Sequence, residues 1–211
     1  VGVGESYTKI KEDEYIINSL EKQDYEQLFD ELSDDTFTGI ISCLGFSDKV
    51  LDIPDAQLNV CTSTLYLVQS LVRDISHKVS ASSESRYPSL YFVTSGAQSK
   101  ADEGISRLWQ SGLWGIGRTI FNEHPEFNLR MIDLDPLQDA KTQGDTLFNI
   151  LFDISNESQV VMRDNLKYVG RLNQASVLKE NEHLSIPEEG SYQVLASESG
   201  VLDDLVVAIN K

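Results

Sequence analysis

The feature that most constrains the fold of this chain is a regular alternation between short β-rich runs and longer helical stretches. The strand-like runs lie at 14–18, 37–44, 88–94, 128–134, 159–162 and 167–172. Helical periodicity marks the stretches at 23–32, 55–79, 105–123 and 139–154. The last two strands are separated by Arg163-Asp-Asn165, a turn sequence. Because strands that alternate with helices form parallel βαβ units, the sequence predicts an α/β fold with a doubly wound parallel sheet.

The strongest helical pattern runs from Asp55 to Val79. Its apolar residues are three or four positions apart, which places them on one helix face: Leu58, Cys61, Leu65, Val68, Val72, Ile75 and Val79. Such a stripe is typical of a helix that packs on a sheet. A repeat of this length also suits a seam between helices, so a helix–helix interface stays open as an alternative.

The charge balance excludes several classes of partner. Asp and Glu outnumber Lys and Arg by 34 to 17, which gives a formal net charge of −17. Nucleic acids and anionic membranes are bound by clustered Lys and Arg, so we expect neither as a partner. No apolar run is long enough to span a bilayer, and the opening VGVGES lacks the basic and apolar regions of a signal peptide. We therefore expect a cytoplasmic protein.

Neither the cysteines nor the histidines form a recognisable site. Cys43 and Cys61 each lie in an apolar stretch, so both are predicted to be reduced core residues. His77, His124 and His183 are far apart in sequence, and no Cys/His cluster has metal-ligand spacing. We predict no metal site.

A doubly wound sheet raises the question of a dinucleotide, whose pyrophosphate is held by a Gly-rich turn between strand and helix. Two Gly-x-Gly strings occur in the chain. Gly2-Val-Gly4 has no third glycine at the required spacing and precedes a β-like run. Gly115-Ile-Gly117 lies inside a predicted helix, with Ile120 at the third glycine position. We therefore predict no nucleotide-binding loop and no cofactor-binding residue.

The proton donor of a short-chain reductase is also absent from its usual place. Such an enzyme protonates a carbonyl with a Tyr whose pKa is lowered by a nearby Lys. The only Tyr-x-x-x-Lys string joins Tyr7 to Lys11, ahead of the first predicted strand and outside any helix. The predicted helix 105–123 carries Trp and Gly where the pair belongs. We predict no catalytic residue in the chain and interpret Ser95 and Ser99 as turn residues.

Three further features have structural interpretations. Asp133 and Asp135 end a predicted strand just before a proline, where capping of a turn is the expected role. Glu123 and His124 also precede a proline and are interpreted as a helix C-terminus, where a His complements the helix dipole. Trp114 is predicted to be a packing residue.

Several segments together resemble the structural subdomain of ketoreductases in modular polyketide synthases. They are GESY at 4–7, YIIN at 15–18 and DY at 24–25 in the early region, GIISCL at 39–44, LYFVTSGAQ at 90–98, WGIGR at 114–118, EHPE at 123–126, IDLDP at 132–136 and MRDNLKYVGRL at 162–172. WGIGR and the two segments that follow it are the most specific of these. The resemblance covers about residues 1–172.

The resemblance implies a truncated, short-chain-dehydrogenase-like Rossmann half-domain that lacks an active site and braces a catalytic half. We interpret residues 1–172 as this subdomain, or as a pseudo-ketoreductase. Residues 173–191 are polar and acidic and contain Pro187, which predicts an extended linker. Residues 192–211 resemble the first strands of an enoylreductase, which such synthases can insert between the two ketoreductase halves. A pseudo-ketoreductase beside a methyltransferase is a close variant.

The function implied by the resemblance is structural, in a multienzyme that builds and reduces acyl-carrier-bound polyketide chains. The implied partners are the catalytic ketoreductase half, the enoylreductase and the acyl carrier protein of the module. NADPH would serve the neighbouring reductase domains and would not be bound by this segment. Two alternatives stay open: an active NADPH-dependent reductase with an unusual cofactor loop, and a stand-alone module that dimerises through 55–79.

Overall fold

The computed structural model describes residues 1–32, 37–46, 52–81, 87–100, 104–153, 155 and 157–172. The predicted linker at 173–191 and the enoylreductase-like segment at 192–211 lie outside the described residues. No helix in the described ranges is long and apolar enough to cross a membrane.

A small three-stranded sheet opens the chain and consists of β1 (Gly2–Val3), β2 (Thr8–Lys11) and β3 (Glu14–Ile17). The central strand, β3, pairs in parallel with β1 and antiparallel with β2. The sequence predicted only β3, because β1 and β2 are short, contain no buried residue and show no apolar alternation. Helix α1 (Lys22–Glu31) follows, and its predicted apolar face is confirmed because Tyr25, Leu28 and Phe29 are buried.

The main sheet has five strands in chain order: β4 (Gly39–Ser42), β5 (Ser89–Ser95), β6 (Arg130–Leu134), β7 (Gln159–Arg163) and β8 (Leu166–Tyr168). Strands β4 to β7 are parallel, and β8 pairs antiparallel with β7. The predicted turn between β7 and β8 is confirmed. Asp164 and Asn165 have φ angles of 51° and 60° there, in the left-handed region that Asp and Asn tolerate better than most residues.

Three helices connect the parallel strands: α2 (Ile53–Ala81), α3 (Ser111–Glu123) and α4 (Ala140–Leu151). Leu90 and Phe92 of β5 share a core cluster with residues of α1, α2 and α3. Val93 and Ile132 point to the opposite face of the sheet and pack with Ile150 of α4. Helices thus cover both faces of the sheet, as the doubly wound α/β prediction requires.

The apolar stripe predicted for α2 is only partly correct. Val68 and Ile75 are buried, but Leu58 and Leu65 are 63% and 46% exposed. The inward face also contains small polar residues that the hydrophobic pattern missed: Ser63, Thr64 and Ser70. The side chain of Val79 lies outside the described residues.

Helix α2 lies in both of the environments that its pattern allowed. It contacts α1 and α3 along its length. Its buried residues also share the core cluster that contains Leu90 and Phe92 of the sheet. The helix therefore packs on the sheet and against two neighbouring helices within one chain.

Two other predictions need correction. Cys43 is exposed and Cys61 is half-buried, so the prediction that both are core residues is wrong. Cys43 directly follows β4, whose second edge has no paired strand in the described part of the chain. The helix predicted from 105 begins only at Ser111, after a 3₁₀ turn at Leu108–Gln110.

Candidate functional site

In an open α/β sheet, ligands bind at the carboxyl ends of the parallel strands. In this chain, that edge is formed by the ends of β5, β6 and β7 together with the loops that follow them. The polar residues of the segments LYFVTSGAQ, IDLDP and MRDN converge here. This edge is therefore the first place to look for chemistry.

Asp133 of β6 is fully buried at this edge. Its Oδ1 accepts hydrogen bonds from the Thr94 hydroxyl at 2.6 Å and from the Ala97 N–H at 2.9 Å. Its Oδ2 accepts from the Gln98 N–H at 3.1 Å and from the Arg163 guanidinium at 2.5 Å. Both carboxylate oxygens are thus occupied by donors from the protein itself.

Arg163 of β7 completes a buried ion pair with Asp133, because its own side chain is only 8% exposed. Its Nη1 donates to the carbonyls of Met162 at 2.6 Å and Leu134 at 3.0 Å. Its Nη2 also donates to the Gln98 carbonyl at 2.7 Å. The guanidinium therefore joins β7, β6 and the loop after β5.

The sequence analysis missed this ion pair. It interpreted Asp133 as a turn cap and gave Arg163 no role beyond the turn. A signal was present, since Asp133 lies between two apolar residues and Arg163 follows three of them, and a buried charge needs a partner. Because the two residues are 30 positions apart in sequence, the local pattern does not show that these two charges meet.

Helix α3 adds Trp114 to the same network. The side chain is 3% exposed, and its indole N–H donates to the Thr94 hydroxyl at 3.1 Å. Thr94 in turn donates to Asp133, so the hydrogen bonds run from Trp114 to Arg163 without interruption. The prediction that Trp114 packs in the core is confirmed, and its hydrogen bond is an additional finding.

Two glycines allow the elements to approach closely enough for this network. A Cβ on Gly117 of α3 would lie 2.3 Å from Met131 Sδ, so a larger residue there would force the buried Met131 side chain of β6 to move. Gly96 follows β5 with a φ of 77°, and a Cβ there would lie 2.1 Å from the Ser106 hydroxyl. Gly115, by contrast, has no atom within 4 Å of an added Cβ.

The backbone N–H and the hydroxyl of Ser95 are also hydrogen-bonded to neighbouring residues. It is the buried last residue of β5, so its prediction as a turn residue is wrong, whereas Ser99 does lie in the loop that follows. The Ser95 N–H donates to Oε1 of the fully buried Gln110 at 2.8 Å. Its hydroxyl accepts from Gln143 Nε2 at 3.3 Å.

Asp135 caps turns, as predicted. Its Oδ1 accepts from the Leu137 N–H at 3.0 Å, and its Oδ2 accepts from the Asp164 N–H at 3.0 Å. The carboxylate thus fixes the turn after β6 to the hairpin turn after β7.

Tyr7 and Lys11 belong to the small N-terminal sheet. Their predicted position ahead of the first strand is wrong, because β1 precedes Tyr7 and Lys11 ends β2. The Tyr7 ring packs near Tyr15, and Lys11 pairs with Glu14 at 2.9 Å. Burial, with a smaller effect from Glu31, raises the pKa of Tyr7. A catalytic tyrosine needs the opposite shift.

The remaining sequence candidates have structural positions. Gly115 and Gly117 lie within α3, as predicted, and Gly2 lies in β1. His124 follows the end of α3, as predicted, with its Nδ1 3.0 Å from Glu126 Oε1. His77 is an exposed residue of α2, and His183 lies outside the described residues. Across the described ranges, no group of three His, Cys, Asp or Glu could hold a metal ion.

Comparisons with known proteins agree with the Rossmann-like, short-chain-dehydrogenase-like architecture. A ketoreductase structure described as a C2-type ketoreductase from a modular polyketide synthase superposes with a TM-score of 0.59 at 26% identity, covering 74% of this chain and 33% of that one. A keto acid-selecting NRPS module containing adenylation, ketoreductase and pseudo Asub domains matches with a TM-score of 0.64 at 17% identity, covering 79% of this chain and 14% of that one.

The family follows from the sequence match. The family model described as the Rossmann fold domain of the polyketide synthase extender module SpnB matches residues 8–172, which is most of the chain. The chain belongs to this family of polyketide synthase Rossmann domains.

Curated relatives are much longer proteins. The chain is 35% identical over 122 residues to a subunit of the phenolphthiocerol/phthiocerol polyketide synthase of Mycobacterium tuberculosis strain H37Rv, covering 57% of this chain. It is 30% identical over 147 residues to the phthioceranic/hydroxyphthioceranic acid synthase of Mycobacterium bovis strain BCG, covering 70% of this chain. The chain spans only 5% and 6% of the lengths of these two synthase proteins.

Proposed function

We propose that this chain is a non-catalytic structural subdomain that braces the catalytic half of a polyketide synthase ketoreductase. The observation that carries the proposal is the filled carboxyl edge of the main sheet. Where this fold places a ligand, Asp133 and Arg163 are buried and bonded to each other and to neighbouring protein groups. Groups that are fully engaged inside the protein cannot also bind and activate a substrate.

The ends of β5, β6 and β7 support the proposal that no dinucleotide is bound there. A pyrophosphate needs free backbone N–H groups at the start of a helix. After β5, the N–H groups of Ala97 and Gln98 are already donated to Asp133. Helix α3 begins only at Ser111, after a 3₁₀ turn, and so presents no N-terminus directly after the strand.

Two observations on the described residues support the proposal that the reactive pair of a reductase is absent. Helix α3 presents Trp114 to the end of β5, and an indole N–H cannot protonate a carbonyl oxygen at neutral pH. Tyr7, the tyrosine with a Lys four residues on, lies beside the small sheet and has a raised pKa. On this proposal NADPH is used by neighbouring reductase domains. The partners are then the catalytic ketoreductase half, the enoylreductase and the acyl carrier protein of one cytoplasmic synthase.

Titration with NADPH tests the proposal directly. Fluorescence of the 211-residue chain should show no saturable change at micromolar NADPH, while an active short-chain reductase measured alongside should saturate. Absorbance of NADPH should also stay constant when a simple β-keto thioester is added. Saturable micromolar binding, or turnover that disappears in Tyr7→Phe, would overturn the proposal and support the active-reductase alternative.

The bracing role has its own test. The catalytic ketoreductase half, expressed alone, should melt at a higher temperature when this chain is added at equal concentration, because binding to the native state stabilises it. Arg163→Met, which weakens the fold of the chain itself, should reduce this gain. A catalytic half whose melting temperature is unchanged by the chain would contradict the bracing role.

One observation supports the second candidate, a module that dimerises through α2. Leu58 and Leu65 are exposed on the outer side of this helix, seven residues apart. Sedimentation velocity separates the two proposals. A monomer at micromolar concentration supports the bracing role, whereas a dimer that dissociates in Leu58→Glu supports the interaction module.

A further inference from the structure

Two phenylalanines lie on the outward face of α4, one helical turn apart. Phe148 and Phe152 are 61% and 71% exposed, and the centroids of their rings are 4.8 Å apart. The other face of the helix buries Ile150 against the sheet. A surface helix normally carries polar side chains on the face that meets water. The packing of the domain itself therefore does not explain these two residues, which we call the Phe148–Phe152 pair.

Contact between the two rings does not remove them from water. Aromatic side chains four residues apart on a helix pack on each other. Each ring of the pair nevertheless keeps more than half of its surface exposed. Single exposed apolar side chains are normal on proteins, but contiguous ones mark sites of interaction. The pair is therefore a candidate contact surface.

The charges beside the pair are balanced. Lys141 bonds to Asp145 at 2.9 Å on the same helix, one turn before Phe148. Lys167 bonds at 2.5 Å to Asp153, which directly follows the helix cap. Each charge that these contacts place near the rings thus has a partner of opposite sign.

The surrounding sequence has the same balance. Residues 139–172 contain five Asp and Glu and four Lys and Arg, whereas residues 1–32 contain nine Asp and Glu and three Lys. Like charges repel, so a neighbour as acidic as this chain, whose net charge is −17, approaches the α4 side more easily than the N-terminal region. Because neither sign is in excess around the pair, the surface that it recognises is apolar rather than strongly charged.

The area of the pair limits the kind of partner. At these exposures the two side chains offer about 250 Å² of apolar surface, whereas a stable complex between separate proteins buries about 800 Å² on each partner. Two domains joined in one polypeptide need a smaller contact, because the link raises their effective concentration to about the millimolar range. The synthase relatives are such polypeptides, since this chain spans only 5% and 6% of their lengths.

We propose that the Phe148–Phe152 pair is the docking site for an apolar surface of a neighbouring domain in the same synthase polypeptide. The two rings would enter a hollow on that surface, and the paired charges of Lys141 and Asp145 would stay in water at its rim. This inference rests on the proposed function only in taking the chain to be one part of a longer synthase. It does not require that the chain brace a catalytic half.

Hydroxyl-radical footprinting tests the docking, with the 211-residue chain compared to the full-length synthase that contains it. Phe148 and Phe152 should be oxidised rapidly in the isolated chain and about fivefold or more slowly in the synthase, because docked rings lie in the water-excluded core of a contact. Leu137 is the internal control, since it is 91% exposed in the loop before α4 and should react at the same rate in both. If the two rings react equally fast in both proteins, or if Leu137 slows as much as they do, the proposal is wrong.

A matched pair of charge variants tests whether the rings hold the contact. Phe148→Glu places a charge in the proposed apolar contact, so Phe152 in the synthase should return to rapid oxidation. Leu137→Glu makes the same change in charge outside the contact and should leave Phe152 slow. Both variants should keep the melting temperature of the isolated chain, because both side chains are exposed. A Phe152 that stays slow in Phe148→Glu would overturn the proposal, and so would a Phe148→Glu variant that unfolds the isolated chain.

Two further measurements exclude other occupants of the site. The isolated chain should sediment as a monomer, and a dimer that dissociates in Phe148→Glu would make a second copy the occupant and overturn the proposal. In a synthase whose carrier protein holds no acyl chain, Phe148 and Phe152 should stay slow. If their protection requires the acyl chain, that chain is the occupant and the proposal is wrong. None of these results depends on NADPH binding, turnover or the melting temperature of the catalytic half, which test the proposed function separately.

Discussion

The carboxyl ends of β5, β6 and β7 and the free edge of β4 are completed in different ways. At the carboxyl ends, Thr94, Asp133 and Arg163 satisfy one another, and the fold is closed without any outside group. Along β4, the outer edge of the strand and the Ser42 hydroxyl have no partner in the described part of the chain. An apolar cavity lies beside them. The two regions thus differ in whether the described residues provide partners for their polar groups.

The largest expected effect is the loss of the buried cation. Arg163→Met leaves the Asp133 carboxylate buried without its partner, so the free energy of unfolding should fall by about 3–5 kcal/mol. The matched change is Lys141→Met, because Lys141 pairs with Asp145 where the two side chains are 86% and 67% exposed. That change should cost about 1 kcal/mol or less. If the two variants have equal urea midpoints, the buried Asp133–Arg163 pair stabilises the fold no more than the exposed pair does, and the prediction is wrong.

Truncation of Trp114 should have an effect of similar size. Trp114→Ala removes a side chain that is 3% exposed, and we expect a loss of about 3–5 kcal/mol. Trp114→Phe keeps most of the packing but loses the hydrogen bond to Thr94, which should cost about 1 kcal/mol from the missing bond. Thermal unfolding measures both, and an unchanged melting temperature in Trp114→Ala would show that the indole does not hold α3 to the sheet.

The buried hydroxyls of Thr94 and Ser42 allow a direct comparison of the carboxyl ends of the strands with the free edge of β4. Thr94 donates to Asp133 and accepts from Trp114, so Thr94→Val should destabilise the chain by about 1–3 kcal/mol. Ser42 has no partner, so Ser42→Ala should leave the stability of the isolated chain unchanged or slightly increased. Chemical denaturation of both variants is the measurement. A larger loss from Ser42→Ala would mean that the open edge is already satisfied within the chain.

The glycines of WGIGR give a smaller contrast. Gly117→Ala places a Cβ 2.3 Å from Met131 Sδ and should destabilise the chain by about 1–3 kcal/mol. Gly115→Ala meets no atom within 4 Å and should stabilise α3 by up to about 1 kcal/mol. If the two variants shift the melting temperature in the same direction, α3 does not approach β6 through Gly117.

The smallest expected effect is the acid dependence of one ion pair near the hairpin. Hydrogen bonds from Lys167 and then from Ser155 hold the pKa of Asp153 well below its ordinary value. Because the folded-state pKa is the lower one, the pair stabilises the fold above about pH 4, and this contribution is lost as the pH falls further. Lys167→Met should therefore flatten the decrease in melting temperature between about pH 5 and pH 2. If Lys167→Met has the same pH profile as the unchanged protein, the Asp153–Lys167 pair does not contribute to the acid dependence of the melting temperature.

The sequence predicted correctly the elements that have a clear pattern of apolar residues and the turn that is marked by its residue types. The apolar strands β5 and β6 and the face of α1 came from periodicity, and the turn at Asp164 and Asn165 came from residue type. The buried face of α2 was mispredicted because Ser63 and Thr64 lie on it and count as polar in any hydrophobic pattern. The strands β1 and β2 were missed because no part of them is buried.

At the candidate site, too, the sequence predicted what depends on neighbouring residues and missed what depends on distant ones. The interpretation of Asp135 as a turn cap needed only the neighbouring proline, which is local information. The pairing of Asp133 with Arg163 depends on which strands become neighbours in the sheet, and that is a property of the whole fold. The unpaired edge of β4 likewise depends on which strands become neighbours in the sheet.

The Asp133–Arg163 pair also limits how this domain could acquire new chemistry. A mutation that frees Asp133 to act on a substrate must first remove the arginine, and that intermediate would lose about 3–5 kcal/mol, a large share of the about 5–15 kcal/mol by which a typical domain is stable. A mutation that removes the carboxylate first would leave the Arg163 guanidinium buried without its partner. Any evolutionary path to a reactive carboxylate at this edge therefore passes through strongly destabilised variants, unless both residues change together.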